Sequence, residues 1–326
     1  MSRTSTALLL ACNLLAASAF GGPSVKIVEL PDRLRVELNG ELFTEYLTSK
    51  ERYFPTFYPV LGPGETPMTR SYPFETIEGV DTDHPHHQSL WFAHSKVNGH
   101  NFWAVTPQKG TEPGRTVHQG FTSIESGEKE GGFVSENHYV ASDGQVIFSD
   151  TRTVRFLAPT APNAPRILDI TIAFHASHGP IVFGDDKDAG MAIRVASDLQ
   201  VERRSQAKPA NGNLVNSEGV TGKETWGKRA RWLDAYGEVA GKPVGIAILD
   251  HPSNPRHPTY WHSRTYGLVT ANIFGKRFFE SLEDPKAGEF TVPAGETRTF
   301  RWRFLFHEGD PVAAGIEEQF GAFAKE

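Results

Sequence analysis

The sequence predicts an all-β protein, a large β-sandwich carrying one short helix near its C-terminus. Three observations lead there. Apolar and polar residues alternate at period two in many short segments bounded by turn residues. Asn98-Gly99 separates two such segments, and this pair suits the positive φ angles of a type I′ hairpin turn. Apolar residues at helical spacing occur convincingly in one stretch alone.

Residues 24–30 and 33–38 alternate cleanly, with Pro31-Asp32 as the turn between them. Residues 90–96 and 101–105 flank the Asn-Gly turn and are expected to pair with each other. Further strands are expected over 132–140, 145–156, 166–176, 190–196, 244–249, 266–273 and 297–307. Residues 207–222 are rich in Gly, Asn and Ser, lack an apolar period and read as a long loop. Pro252, Pro255 and Pro258 exclude helix and central strand from 251–258. Asp310 can cap the expected helix and Pro311 fits its first turn. Val312, Ile316, Phe320 and Phe323 form its apolar face. No repeat or linker divides the chain, so residues 20–326 are expected to form one sandwich domain.

Residues 1–19 read as a signal peptide. Arg3 supplies the positive start, Ala7 to Ala17 the apolar run and Ala17-Ser18-Ala19 the cleavage site. Leu9-Leu10-Ala11-Cys12 also resembles a lipoprotein signal, but the apolar run continues past Cys12, which favours ordinary cleavage. A periplasmic or secreted protein with no membrane span is therefore expected. Cys12 is the only cysteine, so the processed chain would have no disulfide, no thiolate nucleophile and no cysteine-ligated metal. A net charge of -6 without a basic stripe argues against nucleic acid as a partner. Gly-x-Ser-x-Gly, Walker and dinucleotide fingerprints are missing, which disfavours serine hydrolysis, ATP use and Rossmann redox chemistry.

Five of the 13 histidines crowd into one stretch, at His84, His86, His87, His94 and His100. Imidazole suits both proton transfer and metal binding near neutral pH. On an extended backbone His84 and His86 would point one way and His87 the other. His84 and His86 could ligate a divalent metal, with a third ligand from His178, His257 or His262. Alternatively the imidazoles act as acid, base or hydrogen-bonding groups. His94 falls within a strand and His100 beside a turn, so both read as structural.

Three further clusters follow. Gly184-Asp185-Asp186-Lys187-Asp188 places a lysine among carboxylates ahead of a strand carrying Arg194. Trp226-Gly227-Lys228-Arg229 sets cations beside a tryptophan. Asn254-Pro255-Arg256-His257-Pro258 and Trp261-His262-Ser263-Arg264 form a proline-stiffened set of basic and aromatic groups. Each also has a plain reading, as a solvated turn, a surface ion-pair patch or a rigid loop.

These clusters, together with Tyr58-Pro59-Val60-Leu61-Gly62-Pro63 and Asn272-Ile273-Phe274-Gly275, resemble the bacterial exported proteins labelled "PmoA family". Asp188 departs from the family pattern, which has Glu there, and so shortens the reach of an acid. Methane oxidation does not follow from that label, because the monooxygenase subunit of that name spans the membrane several times. Family members accompany carbohydrate-degrading proteins, which implies work on sugars. The implied fold is a galactose-mutarotase-like supersandwich, which uses histidine and carboxylate pairs for proton transfer.

The resulting expectation is an enzyme using acid–base chemistry on a carbohydrate or sugar-derived small molecule. His86 or His87 would shuttle the proton and Asp188 would be the second acid–base group. Lys187, Arg194, Lys228, His262 and Arg264 would orient the ligand, and Trp91 and Trp261 would stack on its ring. A metal-dependent enzyme and a non-catalytic sugar-binding module are the alternatives.

Overall fold

The structure is a computed structural model that describes residues 24–203 and 211–326. The expected signal peptide, Cys12 and residues 207–210 of the expected long loop lie outside the described residues. In chain order the first strands are β1 (Val25–Leu30), β2 (Arg33–Leu38), β3 (Glu41–Leu47), β4 (Thr56–Val60) and β5 (Leu90–His94). Next come β6 (Arg115–Glu125), β7 (Glu130–Val140), β8 (Val146–Leu157) and β9 (Arg166–His175). After these come β10 (Ile181–Phe183), β11 (Ala189–Arg194), β12 (Asn213–Asn216), β13 (Trp232–Val239) and β14 (Lys242–Asp250). The last are β15 (Tyr260–Ser263), β16 (Leu268–Asn272), β17 (Phe290–Val292) and β18 (Thr297–Glu308).

Two antiparallel sheets of eight strands carry the fold. The first runs β1-β2-β3-β4-β5-β11-β16-β15 and the second β12-β13-β14-β18-β9-β8-β7-β6, while β10 and β17 form a separate pair. The main core contains inward residues of both sheets, including Leu90, Phe92, Met191 and Val269 of the first and Phe148, Ile170, Ile246 and Phe304 of the second. The expected large β-sandwich is therefore the architecture.

The expected short helix is present as α2 (Ile316–Phe323), preceded by α1 (Lys276–Glu280), a one-turn helix that the periodicity did not suggest. α2 starts later than Asp310 and Pro311 implied. Asp310 Oδ1 does accept from Val312 N at 3.0 Å and Ala313 N at 2.8 Å, but it caps only an isolated turn. Gly315, at φ 63°, then resets the direction, and Val312 is left 87% exposed. Ile316, Phe320 and Phe323 do pack, against Trp232, Leu249 and Leu305 on the outer face of the second sheet.

Two other expectations need correction, and one about the prolines holds. Residues 101–105 do not form a strand paired with 90–96. β5 is bonded to β4 on one side and β11 on the other, so neither edge is open to a hairpin partner. The Asn-Gly turn itself forms, with Asn98 at φ 49° and Gly99 at φ 86°. The expected loop over 207–222 contains β12, an edge strand held by β13. β15 begins two residues beyond Pro258, because the prolines end at a boundary that the sheet then uses.

One glycine fixes the spacing of β11 against β16. Gly190 has φ 111°, and a Cβ there would lie 2.1 Å from the Ala271 carbonyl oxygen. The two backbones approach only because that atom is missing. Gly190→Ala is expected to destabilise the fold by about 3 kcal/mol. Urea denaturation checks this, and unchanged stability would show that the strands can separate freely.

Candidate active site

Alternation along four adjacent strands decides which side chains reach the outer face of the first sheet. Trp261, Met191 and Ala271 belong to the main core. The register aligns Trp91, Ala192, Thr270 and His262 in one row across β5, β11, β16 and β15. Trp91 and Ala192 form a second apolar cluster with Phe54, Ala93, Trp103 and Leu268. A cavity of about 430 Å³ adjoins it, with Trp103 common to both. Every residue lining the cavity is polar, charged or aromatic.

The histidine segment forms one wall. It is not extended: His84 has φ 46°, and His87 N donates to His84 O at 2.9 Å. This turn brings all three imidazoles to the same cavity instead of splitting them between two faces. The rings of His84 and His87 stack at 4.7 Å, and His86 meets His87 edge-on at 4.6 Å. Tyr266 continues the stack, 5.3 Å from His84.

Beneath the turn lies a buried ionic cluster. Asp83 Oδ1 accepts from Arg70 Nη1 at 2.5 Å and from Arg194 Nη2 at 3.0 Å. Asp83 Oδ2 accepts from His84 Nδ1 at 2.6 Å. The other hydrogen bonds of Arg70 run to carbonyls of the same segment, Asp81 at 3.3 Å, His84 at 3.1 Å and His87 at 3.4 Å, and to Tyr72 at 3.2 Å. Arg194 Nη1 donates to His87 Nδ1 at 3.1 Å, which leaves the proton of a neutral His87 on Nε2. Burial opposes ionisation of Asp83. The His84 hydrogen bond and the charges of Arg194 and Arg70 outweigh it and hold the carboxyl well below the usual carboxylate range. Burial, and then the neighbouring His84, push His86 down to about 4. His87 is held well below its ordinary value by burial, and next by His86 and Arg194.

The opposing wall comes from the segment before β11 and from β15. Lys187 Nζ sits 2.9 Å from both oxygens of Asp188. Asp186 Oδ1 accepts from Asp188 N at 3.0 Å. Asn272 pins this segment through its Nδ2, which donates to the carbonyls of Asp186 at 3.1 Å and Lys187 at 2.9 Å. His262 Nδ1 donates to Lys187 O at 2.7 Å and lies 3.9 Å from Asp188 Oδ1. Burial pushes His262 down to about 4, opposed by Asp188. Ser95, Asn101, Gln108 and Arg264 complete the lining.

With this geometry in place, comparison with known proteins adds the following. Residues 33–321 match the model of a family described as "Family of unknown function (DUF6807)". The chain belongs to this family. No curated protein matches the DUF6807 chain by sequence. Among solved structures it is similar to a GalM/aldose epimerase homologue from C. elegans, with TM-score 0.33 and 8% identity over 88% of this chain and 100% of that one. A galactose mutarotase related enzyme from Lactobacillus acidophilus gives TM-score 0.34 and 8% identity, over 88% of this chain and 98% of that one. A polysaccharide lyase gives TM-score 0.33 and 11% identity over 89% of this chain, which spans 33% of the lyase. Superpositions this loose transfer nothing to the DUF6807 protein.

The cavity brings together most of the residues singled out in the sequence: His84, His86, His87, Lys187, Asp188, His262 and Arg264. Four others need correction. Trp91 and Trp261 are buried and offer no face to a ligand, since Trp91 lies under His87 and Trp261 packs in the main core. Arg194 is wholly buried and acts on the site through Asp83 and His87. Lys228 is exposed outside the cavity, where its carbonyl accepts from Trp261 N.

Among the described residues no group of three or more His, Cys, Asp or Glu has a metal-holding arrangement. His84 Nδ1 is already taken by Asp83, His178 bonds Ser177 and His257 bonds Asp250, so only His262 of the third-ligand candidates lines the cavity. His94 is buried and accepts from Lys96 N, the structural role expected of it. Tyr266, Ser95 and Gln108 were not anticipated. Arg70 carried no signal, standing alone 13 residues before its partner.

Two outcomes follow from the cluster. Asp83→Asn removes the carboxylate bonded to both buried guanidiniums and is expected to cost about 3 kcal/mol in guanidinium denaturation. Stability unchanged within error would mean that the cluster relaxes without it. The second concerns pH. His86 and His262 ionise near 6.5 when unfolded and near 4 when folded, so folding favours their neutral forms. Their contribution is complete above pH 6.5 and is lost as pH falls from 6.5 towards 4. Tm should drop across that window, and His86→Asn should flatten the drop. A Tm equally steep in the variant would assign the pH dependence to other groups.

Proposed function

We propose that the protein is an exported enzyme that acts on a carbohydrate or sugar derivative by proton transfer. The observation that carries this reading is the Asp83–His84 pair at the wall of a polar cavity. Asp83 stays ionised and is clamped by two guanidiniums, so it orients His84 without taking the proton itself. His84 Nδ1 is thereby committed, and Nε2 is the nitrogen that takes a proton from the ligand or delivers one to it. This moves the acid–base role from His86 and His87 to His84. His86 and His262 are neutral at pH 7 and serve as hydrogen-bonding groups for hydroxyls. Asp188, aligned by Lys187, is the second acid–base group.

The volume suits a small ligand, and the lining suits one rich in hydroxyls. Trp103 supplies an aromatic surface in place of Trp91 and Trp261. The resemblance to the "PmoA family" rests on these same segments and supports work on sugars. The signal-like residues 1–19 support export.

Incubation with a panel of glycosides and oligosaccharides in deuterated and in oxygen-18 water distinguishes the reactions. Deuterium entering a ring carbon marks epimerisation, an unsaturated product marks elimination, and heavy oxygen at the released anomeric carbon marks hydrolysis. His84→Gln is expected to lower whichever turnover appears by about a thousandfold while leaving the circular dichroism spectrum unchanged. A fully active variant would remove His84 from the chemistry, and a ligand bound but never converted would make the protein a binding module.

A further inference from the structure

Resting on that sugar reading, we infer that the ligand is an acidic sugar whose carboxylate is bound by Arg264. The other cations at the cavity are already paired with carboxylates. Asp83 is held by Arg70 and Arg194, and Asp188 by Lys187. Asp186 accepts from the backbone of Asp188. Arg264 lines the same cavity, yet among the described residues no carboxylate lies within ion-pair distance of it and its guanidinium makes no hydrogen bond. Its guanidinium carbon lies over the ring of Tyr266, 5.9 Å from the centroid.

Neighbouring arginines behave differently. Arg229 bonds the carbonyls of Pro258 and Arg256, and Arg256 those of Ile273 and Gly288. Arg264 therefore stands out as a cation at the cavity with its donors unused. Its backbone is fixed by a tight turn, in which Arg264 N donates to Leu268 O and Gly267 N to Arg264 O, both at 2.8 Å.

A carboxylate matches a guanidinium in charge and in the spacing of two parallel hydrogen bonds. A neutral ligand closing over Arg264 would strip water from the charge and return no counter-charge. One unused guanidinium balances one negative charge, which favours a sugar carboxylate over a dianionic sugar phosphate.

The test uses the full chain and three matched sets of probes: D-glucuronate, D-galacturonate and D-gluconate, then D-glucose and D-galactose, then D-glucose 6-phosphate. Calorimetry at low and high salt reads the affinities. At least one carboxylate sugar is expected to bind about tenfold more tightly than its neutral counterpart, with the margin shrinking in salt. Arg264→Met should abolish the margin with no change in Tm, Arg264→Lys should keep part of it, and His84→Gln should keep all of it. Equal binding of acid and neutral sugars, preference for the phosphate, or a margin that survives in Arg264→Met would overturn the inference. Equal binding leaves the sugar reading standing, whereas no binding by any probe counts against both.

Discussion

Asp83 ties the histidine turn to Arg70, 13 residues before it, and to Arg194, 111 residues after it, and the candidate site depends on that junction. Its carboxylate meets Arg70 from the approach to the histidine turn, Arg194 from the end of β11 and His84 from the turn itself. Two buried guanidiniums would repel each other and carry a large desolvation cost without it. With it, Arg70 is free to spend its remaining donors on the carbonyls of the turn. Arg194 reaches His87, and His84 is held in one orientation. The positive φ at His84, unusual for a residue with a side chain, is maintained by the same contacts. Structure and chemistry thus share one group: the anion that holds the turn together also orients the imidazole.

The sandwich supplies what this cluster needs. Its first sheet is covered on the inner face by the main core and on the outer face by the smaller apolar cluster around Trp91 and Trp103. That second layer lets charged residues of the outer row stay buried beside a cavity instead of facing water. The close approach of β11 and β16 at Gly190, with Asn272 bonded to the carbonyls of Asp186 and Lys187, fixes the opposite wall. The cavity is therefore framed by backbone that can shift little. This suits proton transfer, which needs groups held within hydrogen-bond reach.

Much of this was legible in the sequence. Alternation marked β1, β2, β7, β8, β9 and β18 because each has one face in the core and one towards solvent or a polar layer. β4, β13 and β15 escaped because they are short, carry a proline or are buried on both faces, and alternation fades there. The density of histidine located one wall of the cavity, and the Asp-Lys-Asp segment located the other. The roles were harder. The sequence favoured His86 or His87 as the proton shuttle and His84 as a metal ligand, whereas the hydrogen bond to Asp83 belongs to His84. Trp91 and Trp261 looked like platforms, and only burial shows that they are core.

By itself the sequence determined the class of fold and the segments where polar chemistry concentrates. Those properties are local: period-two patterning, turn residues, counts of a residue type. Tertiary structure decided which of the histidines has a carboxylate, which arginine is buried and which keeps its donors free, and that His262 faces the cavity while Trp261, one residue away, faces the core. The reason is physical. Strand alternation assigns faces only once register is known, and ion pairing depends on distances between residues such as Asp83 and Arg194, which lie 111 positions apart in the chain.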